Sequence, residues 1–299
     1  MRITRKLSVF FLLLSIIAAL FSGCMNGLSG DSIIVAGSSS VQPYAELLAE
    51  FYMKNPGDGE RGAVNVTGGG SSQGLSMVRS GHADIGMVSK KLTSEQQAEF
   101  WHYELAIDAI AVITHPNNSV KSLTVEQIRR IYTREYTTWT QLDPNWKVET
   151  GRKNDAIHLF AREEGSGTRG AFYDLVMGGN KIAPSAIVMS ANGSIRRAVS
   201  DDINAIGFIS LVQVECLPGQ KPVNALNLIA TDGSIIEPCE ENIASGAYSL
   251  ARPFMLIAKS EPTGSAADFI AFVQSPDGRQ ILTQKGLIVR TSDQTGGSQ

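Results

Sequence analysis

Three cysteines in a chain of 299 residues are too few to staple a fold, so packing must hold it together. Cys24 closes an N-terminal apolar run; only Cys216 and Cys239 lie beyond it, and these two can pair or remain small thiols. The four histidines (His82, His102, His115, His158) have no metal-ligand spacing, so neither a metal site nor a cofactor is expected. Basic residues are outnumbered by acidic ones, 26 to 29, which argues against a nucleic-acid partner. Past the leader, no apolar run could span a bilayer; Leu105 to Thr114 is interrupted by Asp108.

What stands at the N-terminus is a targeting pattern. Arg2, Arg5 and Lys6 precede an apolar core from Leu7 to Leu20, and Phe21-Ser22-Gly23-Cys24 follows as a cleavage site. A signal peptide over residues 1–23 is therefore expected, then a tether over 24–30. The small pair before Cys24 resembles a lipobox, although Phe21 stands where leucine is usual. That resemblance implies lipidation at Cys24, an extracytoplasmic location, and membrane attachment through lipid alone. Loss of the leader takes the formal charge from −3 to about −6. An anionic ligand would then be held by local dipoles and one or two arginines, not by the overall field.

Beyond the tether, short apolar runs alternate with helical patterns. Strands are expected at Ile33–Ala36, Ala63–Thr67, Ile85–Val88, Ile107–Ile113, Ile157–Ala161, Ile187–Met189, Ala205–Ile209, Val223–Ile229 and Arg252–Ala258. Helical patterns include Gln73–Ser80, a segment opened by a Thr124/Gln127 capping box, Arg169–Met177, Ala266–Val273 and Arg279–Gln284. This alternation argues an α/β architecture with mainly parallel sheets. The polar tail, 293–299, reads as frayed.

Three loops of small residues sit between a strand and a helix start: Gly37-Ser-Ser-Ser40, Gly68-Gly-Gly-Ser-Ser72 and Arg162-Glu-Glu-Gly-Ser-Gly-Thr168. Each offers unpaired N–H groups and hydroxyls, and the third adds a guanidinium, a combination suited to a tetrahedral oxyanion. One such loop is commonly a plain turn; three with Arg162 point to one anion gripped from several sides. A hydrolase using Ser166 is the rival reading. A nucleophile elbow needs Gly-x-Ser-x-Gly, but Glu164 and Thr168 flank Ser166, and no histidine is placed as a base, so no catalytic residue is assigned.

Ile34-Val-Ala-Gly-Ser-Ser-Ser-Val-Gln-Pro43, Thr67-Gly-Gly-Gly-Ser-Ser-Gln-Gly74, Gly81-His-Ala-Asp-Ile-Gly-Met-Val-Ser89 and the Arg162–Thr168 loop together resemble the PstS-like phosphate-binding lipoproteins of ABC importers. Ile206-Gly-Phe-Ile209 and Ala247-Tyr-Ser-Leu-Ala-Arg-Pro253 fit as well. The resemblance implies a type II periplasmic-binding-protein fold: lobe one at 31–113 plus 252–292, lobe two at 114–251, and a hinge between them. It implies inorganic phosphate as ligand, an ABC transporter permease as partner, a monomeric state and no enzymatic activity. Carried over, the ligand-binding residues are Ser39, Ser40, Val41, Gly70, Ser71, Ser72, Ser89, Arg162, Ser166, Gly167 and Thr168. Glu164 corresponds to an acid that orients Arg162, and Asp84 is expected to be structural.

Ser89 departs from the family pattern, where many members carry an aspartate. A carboxylate there would accept the proton of phosphate and repel sulfate; a serine cannot repel by charge. Geometry at Ser89, an acceptor from Glu163 or Glu164, or weaker selectivity remain open, and with them sulfate, molybdate and tungstate as ligands. Arg196 and Arg197, after Asn192-Gly193-Ser194, read as a solvated helix face within possible reach of the ligand.

Overall fold

The computed structural model describes residues 32–55, 61–214 and 222–290. The expected leader, Cys24, the tether, Cys216 and the tail lie outside them. Among the described residues no helix is long and apolar enough to cross a membrane.

Strands β1 (Ile33–Gly37), β2 (Val64–Thr67) and β3 (Ile85–Val88) alternate with helices α1 (Gln42–Lys54) and α2 (Ser71–Arg79). Helix α3 (Ser94–Glu99) leads into the long strand β4 (Trp101–Thr114). Then come β5 (Ser122–Leu123), α4 (Val125–Tyr132), α5 (Trp146–Thr150), β6 (His158–Arg162), α6 (Gly167–Phe172), β7 (Ile187–Met189), α7 (Asn192–Asp201) and β8 (Ala205–Ser210). Short strands β9 (Asn224–Ala225), β10 (Asn227–Ile229) and β11 (Ile235–Ile236) precede α8 (Glu240–Ala244). Strand β12 (Ala251–Ala258) and helices α9 (Gly264–Gln274) and α10 (Pro276–Thr283) complete the fold.

The main sheet runs β2-β1-β3-β12-β4-β8-β6-β7, with β9 also on β4. Both wings are parallel, β2-β1-β3 on one side and β8-β6-β7 on the other. Between them β12 and β4 pair antiparallel with each other and with their neighbours. The α/β class therefore stands, with antiparallel pairing where the chain crosses. Strands β3 and β8 are buried at every position, as strands covered by helices on both faces must be.

The apolar cores divide along these crossing strands. Leu105 and Ala106 of β4 join Phe254 and Leu256 of β12 in a core with Val35, Leu48 and Phe269. Three residues further along β4, Ala109 and Ile110 belong to another, with Tyr132, Trp139, Trp146, Phe172, Phe208 and Leu250. Trp139 and Trp146 are thus core residues, stacked 6.4 Å apart.

Local differences from the sequence reading have simple causes. Strand β4 begins at Trp101 instead of Ile107, because β12 supplies pairing partners from Ala109 back to Trp101. The expected strand 223–229 breaks at Leu226: β9 pairs with β4, while β10 pairs with β5 and β11. The helix expected at 169–177 starts two residues earlier at Gly167 and loosens into a π turn over Tyr173–Met177. The Thr124/Gln127 capping box is present, and Thr93/Gln96 forms another at α3.

Phe172 and Phe208 stack at 4.0 Å between centroids, both fully buried, with Tyr132 edge-on to each. Phe208→Ala is expected to destabilise the protein by about 3–5 kcal/mol through lost burial and a cavity. Urea unfolding checks this; an unmoved midpoint would mean that the ring pair carries no such weight.

Candidate functional site

Each loop of the site is made possible by a glycine. Gly37 ends β1 at φ +137°, and a Cβ there would overlap Met87 O, so only glycine lets Ser38 N–H reach that carbonyl at 2.9 Å. Gly70, at φ +102°, donates to Gly37 O at 2.9 Å and passes so close to Gly165 that a Cβ would lie 2.8 Å from its carbonyl oxygen. The Gly68–Ser72 and Arg162–Thr168 loops also meet directly, with Ser72 N–H on Gly165 O at 3.1 Å.

These contacts gather four helix starts, α1, α2, α6 and α7, around one buried polar cluster. Their N-termini bring positive partial charge to the same place. Ser38, Ser40, Ser71, Ser89, Thr168 and Asn192 are all buried there. Ser40 Oγ lies 2.9 Å from Thr168 Oγ1, joining the loop after β1 to the start of α6. Ser38 Oγ accepts from Ser40 N–H at 3.2 Å and donates to Ser89 Oγ at 2.7 Å. Ser89 N–H donates to Ser71 Oγ at 3.0 Å, and the two hydroxyls stand 3.4 Å apart.

Arg162 ends β6 and is 1 % exposed. Its guanidinium donates twice to Glu163, at 2.9 Å each, and to Asn192 Oδ1 at 2.7 Å. It also reaches Ser39 Oγ at 3.0 Å and Ser190 O at 3.3 Å. The fork on Glu163 fixes its plane. Glu164 does not orient Arg162, contrary to the sequence reading. It sits exposed at the loop tip, where its ion-pair partner is Arg169 at 4.0 Å. Glu163, still tied to β7 through its N–H on Met189 O, is the residue that can fold back along the guanidinium.

Most of the expected residues come together: Ser39, Ser40, Gly70, Ser71, Ser89, Arg162, Ser166, Gly167 and Thr168. Ser72 reaches the cluster only through its backbone, since the residue is exposed. The Val41 N–H is engaged by Ser38 O at 3.1 Å. Ser166 Oγ caps α6 by accepting from Arg169 N–H at 3.3 Å. Asp84 ties β1 to the turn before β3, accepting from Ile34 N–H at 2.8 Å. Of the pair read as a solvated face, only Arg197 is exposed; Arg196 is buried against the body of the protein.

Four residues that the sequence reading left outside the site belong to this cluster: Ser38, Asn192, Asp108 and Arg252. Arg252 pairs with Asp108 at 2.8 Å, both nearly inaccessible, and also donates to Thr168 Oγ1 at 2.9 Å and to Ser89 O at 3.0 Å. Burial is the largest cause pulling the Arg252 guanidinium below its ordinary value; Asp108 opposes it, and the like charge of Arg162 adds to it. A signal existed: a charge inside the apolar run Leu105–Thr114 must find a partner when that strand is buried. Chemically the cluster offers hydroxyl and guanidinium donors in a water-poor setting, a socket for an oxyanion.

Gly167 sits where a Cβ would overlap the hydroxyls of Ser71 and Ser89. Gly167→Ala is expected to push the start of α6 away from them and weaken oxyanion binding by about tenfold or more. Titration calorimetry on folded variant checks this; unchanged affinity would mean that the close approach is not used in binding.

The family model for the PBP superfamily domain matches residues 26–277. A chain from Clostridium perfringens, described as a phosphate ABC transporter substrate-binding protein and solved with bound phosphate, is 36% identical. That match covers 87% of this chain and 100% of the other, with a TM-score of 0.74. An ABC-type phosphate transport receptor from Vibrio cholerae is 32% identical, covering 86% and 100% of the two chains, with a TM-score of 0.67. The phosphate-binding protein PstS of Bacillus subtilis is 28% identical over 265 residues, 87% of this chain and 81% of that protein. The chain belongs to the PBP superfamily, in its PstS-like group of substrate-binding proteins, which are not enzymes.

Proposed function

We propose that this protein captures inorganic phosphate between two lobes outside the cytoplasm and delivers it to the permease of an ABC transporter. The observation that carries the reading is the convergence of Ser40, Ser71, Ser89 and Thr168 hydroxyls with the Arg162 guanidinium in one buried cluster. A phosphate stripped of water needs a full shell of donors, and hydroxyls and helix N–H groups supply it without a large excess of charge. Charge-assisted bonds from Arg162 add about 1.5–3 kcal/mol each.

The ligand set in this reading is Ser39, Ser40, Val41, Gly70, Ser71, Ser72, Ser89, Arg162, Ser166, Gly167 and Thr168, with Ser72 acting through its backbone. Lobe one in this reading is 31–113 plus 252–292 and lobe two 114–251; the apolar cores divide near these bounds, between Ala106 and Ala109 on β4 and between Leu250 and Phe254 at β12. Closure would bring the two groups of helix starts together around the anion. The phosphate named for the relatives supports the ligand, and the ABC transporter named for the Clostridium protein supports the permease. The N-terminal pattern supports a signal peptide over 1–23 and a lipid on Cys24. A monomer is the working state.

Ser89 favours one second reading, a broader oxyanion receptor. The position where a carboxylate would repel sulfate holds a buried hydroxyl 2.7 Å from Ser38 Oγ. Titration of residues 25–299 with phosphate and then sulfate, after removal of bound anion, separates the two. Micromolar or tighter phosphate binding with sulfate silent supports the phosphate receptor. Binding of both makes the receptor broader, and binding of neither by folded protein overturns the reading. Arg162→Ala is expected to cost at least about tenfold in phosphate affinity, and unchanged affinity would remove Arg162 from the site.

A further inference from the structure

Arg252 belongs to neither side of the cluster. It projects from β12, one of the two strands on which the apolar cores divide, and its cross-strand neighbour on β4 is Asp108. All five of its N–H donors are engaged. Nε and Nη2 bond Asp108 Oδ2 at 3.0 and 2.8 Å; Nη1 bonds Ser89 O at 3.0 Å and Thr168 Oγ1 at 2.9 Å; Nη2 also reaches Ser40 Oγ at 3.4 Å. One guanidinium thus holds the loop after β1, the loop after β3 and the start of α6 at once.

These bonds decide which way the hydroxyls point. Arg252 occupies a lone pair of Thr168 Oγ1, so the Thr168 proton is left to be donated. Ser40 Oγ accepts from Arg252 and from Asn192 Nδ2 at 3.1 Å, so its proton goes to Thr168 Oγ1 at 2.9 Å. That bond fills the second lone pair of the Thr168 oxygen and leaves the Thr168 proton as the one to be donated outwards. Ser40 follows β1, whose Val35 lies in one core, and Thr168 lies in α6, whose Phe172 lies in the other, so their 2.9 Å contact beside Arg252 joins the two cores.

Asp108 keeps the guanidinium in place without leaving a bare charge. Its Oδ2 also accepts from Ser210 Oγ at 2.7 Å, while Oδ1 is buried with no hydrogen-bond partner among the described residues. A half-satisfied buried ion pair is a poor stabilising device, and an apolar pair of similar size commonly serves a core as well or better. Its place beneath the oxyanion socket gives it another use.

We propose that Arg252, held by Asp108, is a positioning residue that, through its bonds to Ser40 and Thr168, turns the Thr168 hydroxyl into a donor toward the anion, and does so only when the lobes are closed. This rests on the oxyanion reading above and adds a residue to it. The charged groups that face the guanidinium are Asp108 and Arg162, and the burial and like charge that depress Arg252 are relieved by an anion beside it.

The test compares Arg252→Met, Arg252→Lys and the double variant Asp108→Asn/Arg252→Met with the wild type. Phosphate, sulfate and molybdate affinities are titrated, and anion-induced compaction is followed by small-angle scattering. The double variant leaves no unpaired carboxylate, so it guards against simple misfolding of Arg252→Met. Folded Arg252→Met and double variants are expected to bind the anion about tenfold or more weakly and to compact less at equal saturation. Lysine is not expected to rescue, because an ammonium lacks the planar fork that spans Asp108, Ser89 O and Thr168 together.

A folded double variant within twofold of wild-type affinity, with full compaction, would overturn the proposal and leave Arg252 as a structural ion pair. Full rescue by lysine would overturn the orienting role. A wild type silent to phosphate but responsive to sulfate or molybdate would overturn the phosphate reading alone, and the same variants would then be compared with that anion. Silence to all three would overturn both.

Discussion

A guanidinium removed from water must meet both a counter-charge and a full set of acceptors, and this protein does it twice within one cluster. Arg162 is met by Glu163, Asn192, Ser39 and Ser190; Arg252 by Asp108, Ser89 and Thr168. Neither set can be assembled from one stretch of chain. The acceptors come from the ends of β1, β3, β6 and β7, from the middle of β4 and from the starts of α6 and α7, so the order of strands in the sheet is what allows both cations to be buried. Each is paired with a carboxylate, and the cluster stays near neutral while offering donors inward.

Glycine handles the remaining constraint, which is distance. Hydroxyls and helix N-termini act on an anion only when backbones approach more closely than side chains normally permit. Gly37, Gly70 and Gly167 stand at three such close approaches within the site. The serines can therefore be read as the chemistry of the site and the glycines as its spacing.

Much of this was legible in the chain, for identifiable reasons. Gly/Ser loops between strand-like and helix-like segments are local signals, so Ser40, Ser71 and Thr168 could be nominated without knowing what faced them. Arg162 was visible because it begins such a loop. Arg252 and Asp108 were hidden because neither sits in a loop motif: their meaning is the register Arg252↔Asp108 between strands 144 residues apart in sequence. Asn192 was hidden for a similar reason, as a helix start whose partner, Arg162, lies 30 residues earlier. The choice between Glu163 and Glu164 turned on where β6 ends, a one-residue matter that pattern reading does not resolve. The same limit explains the extension of β4 and the break at Leu226, both decided by which strand lies alongside.

The crossing strands have a mechanical consequence. Because β12 pairs with β4 along nearly its whole length, and each also pairs with a strand of one wing, the two cores are joined by a hydrogen-bonded ladder and not by slack chain. Relative motion of the wings is then torsion of a twisted sheet, with a restoring force, about an axis fixed by the ladder. Unfolding follows the same rule: neither core can melt while the other keeps both strands, so the two lose their structure as one cooperative unit.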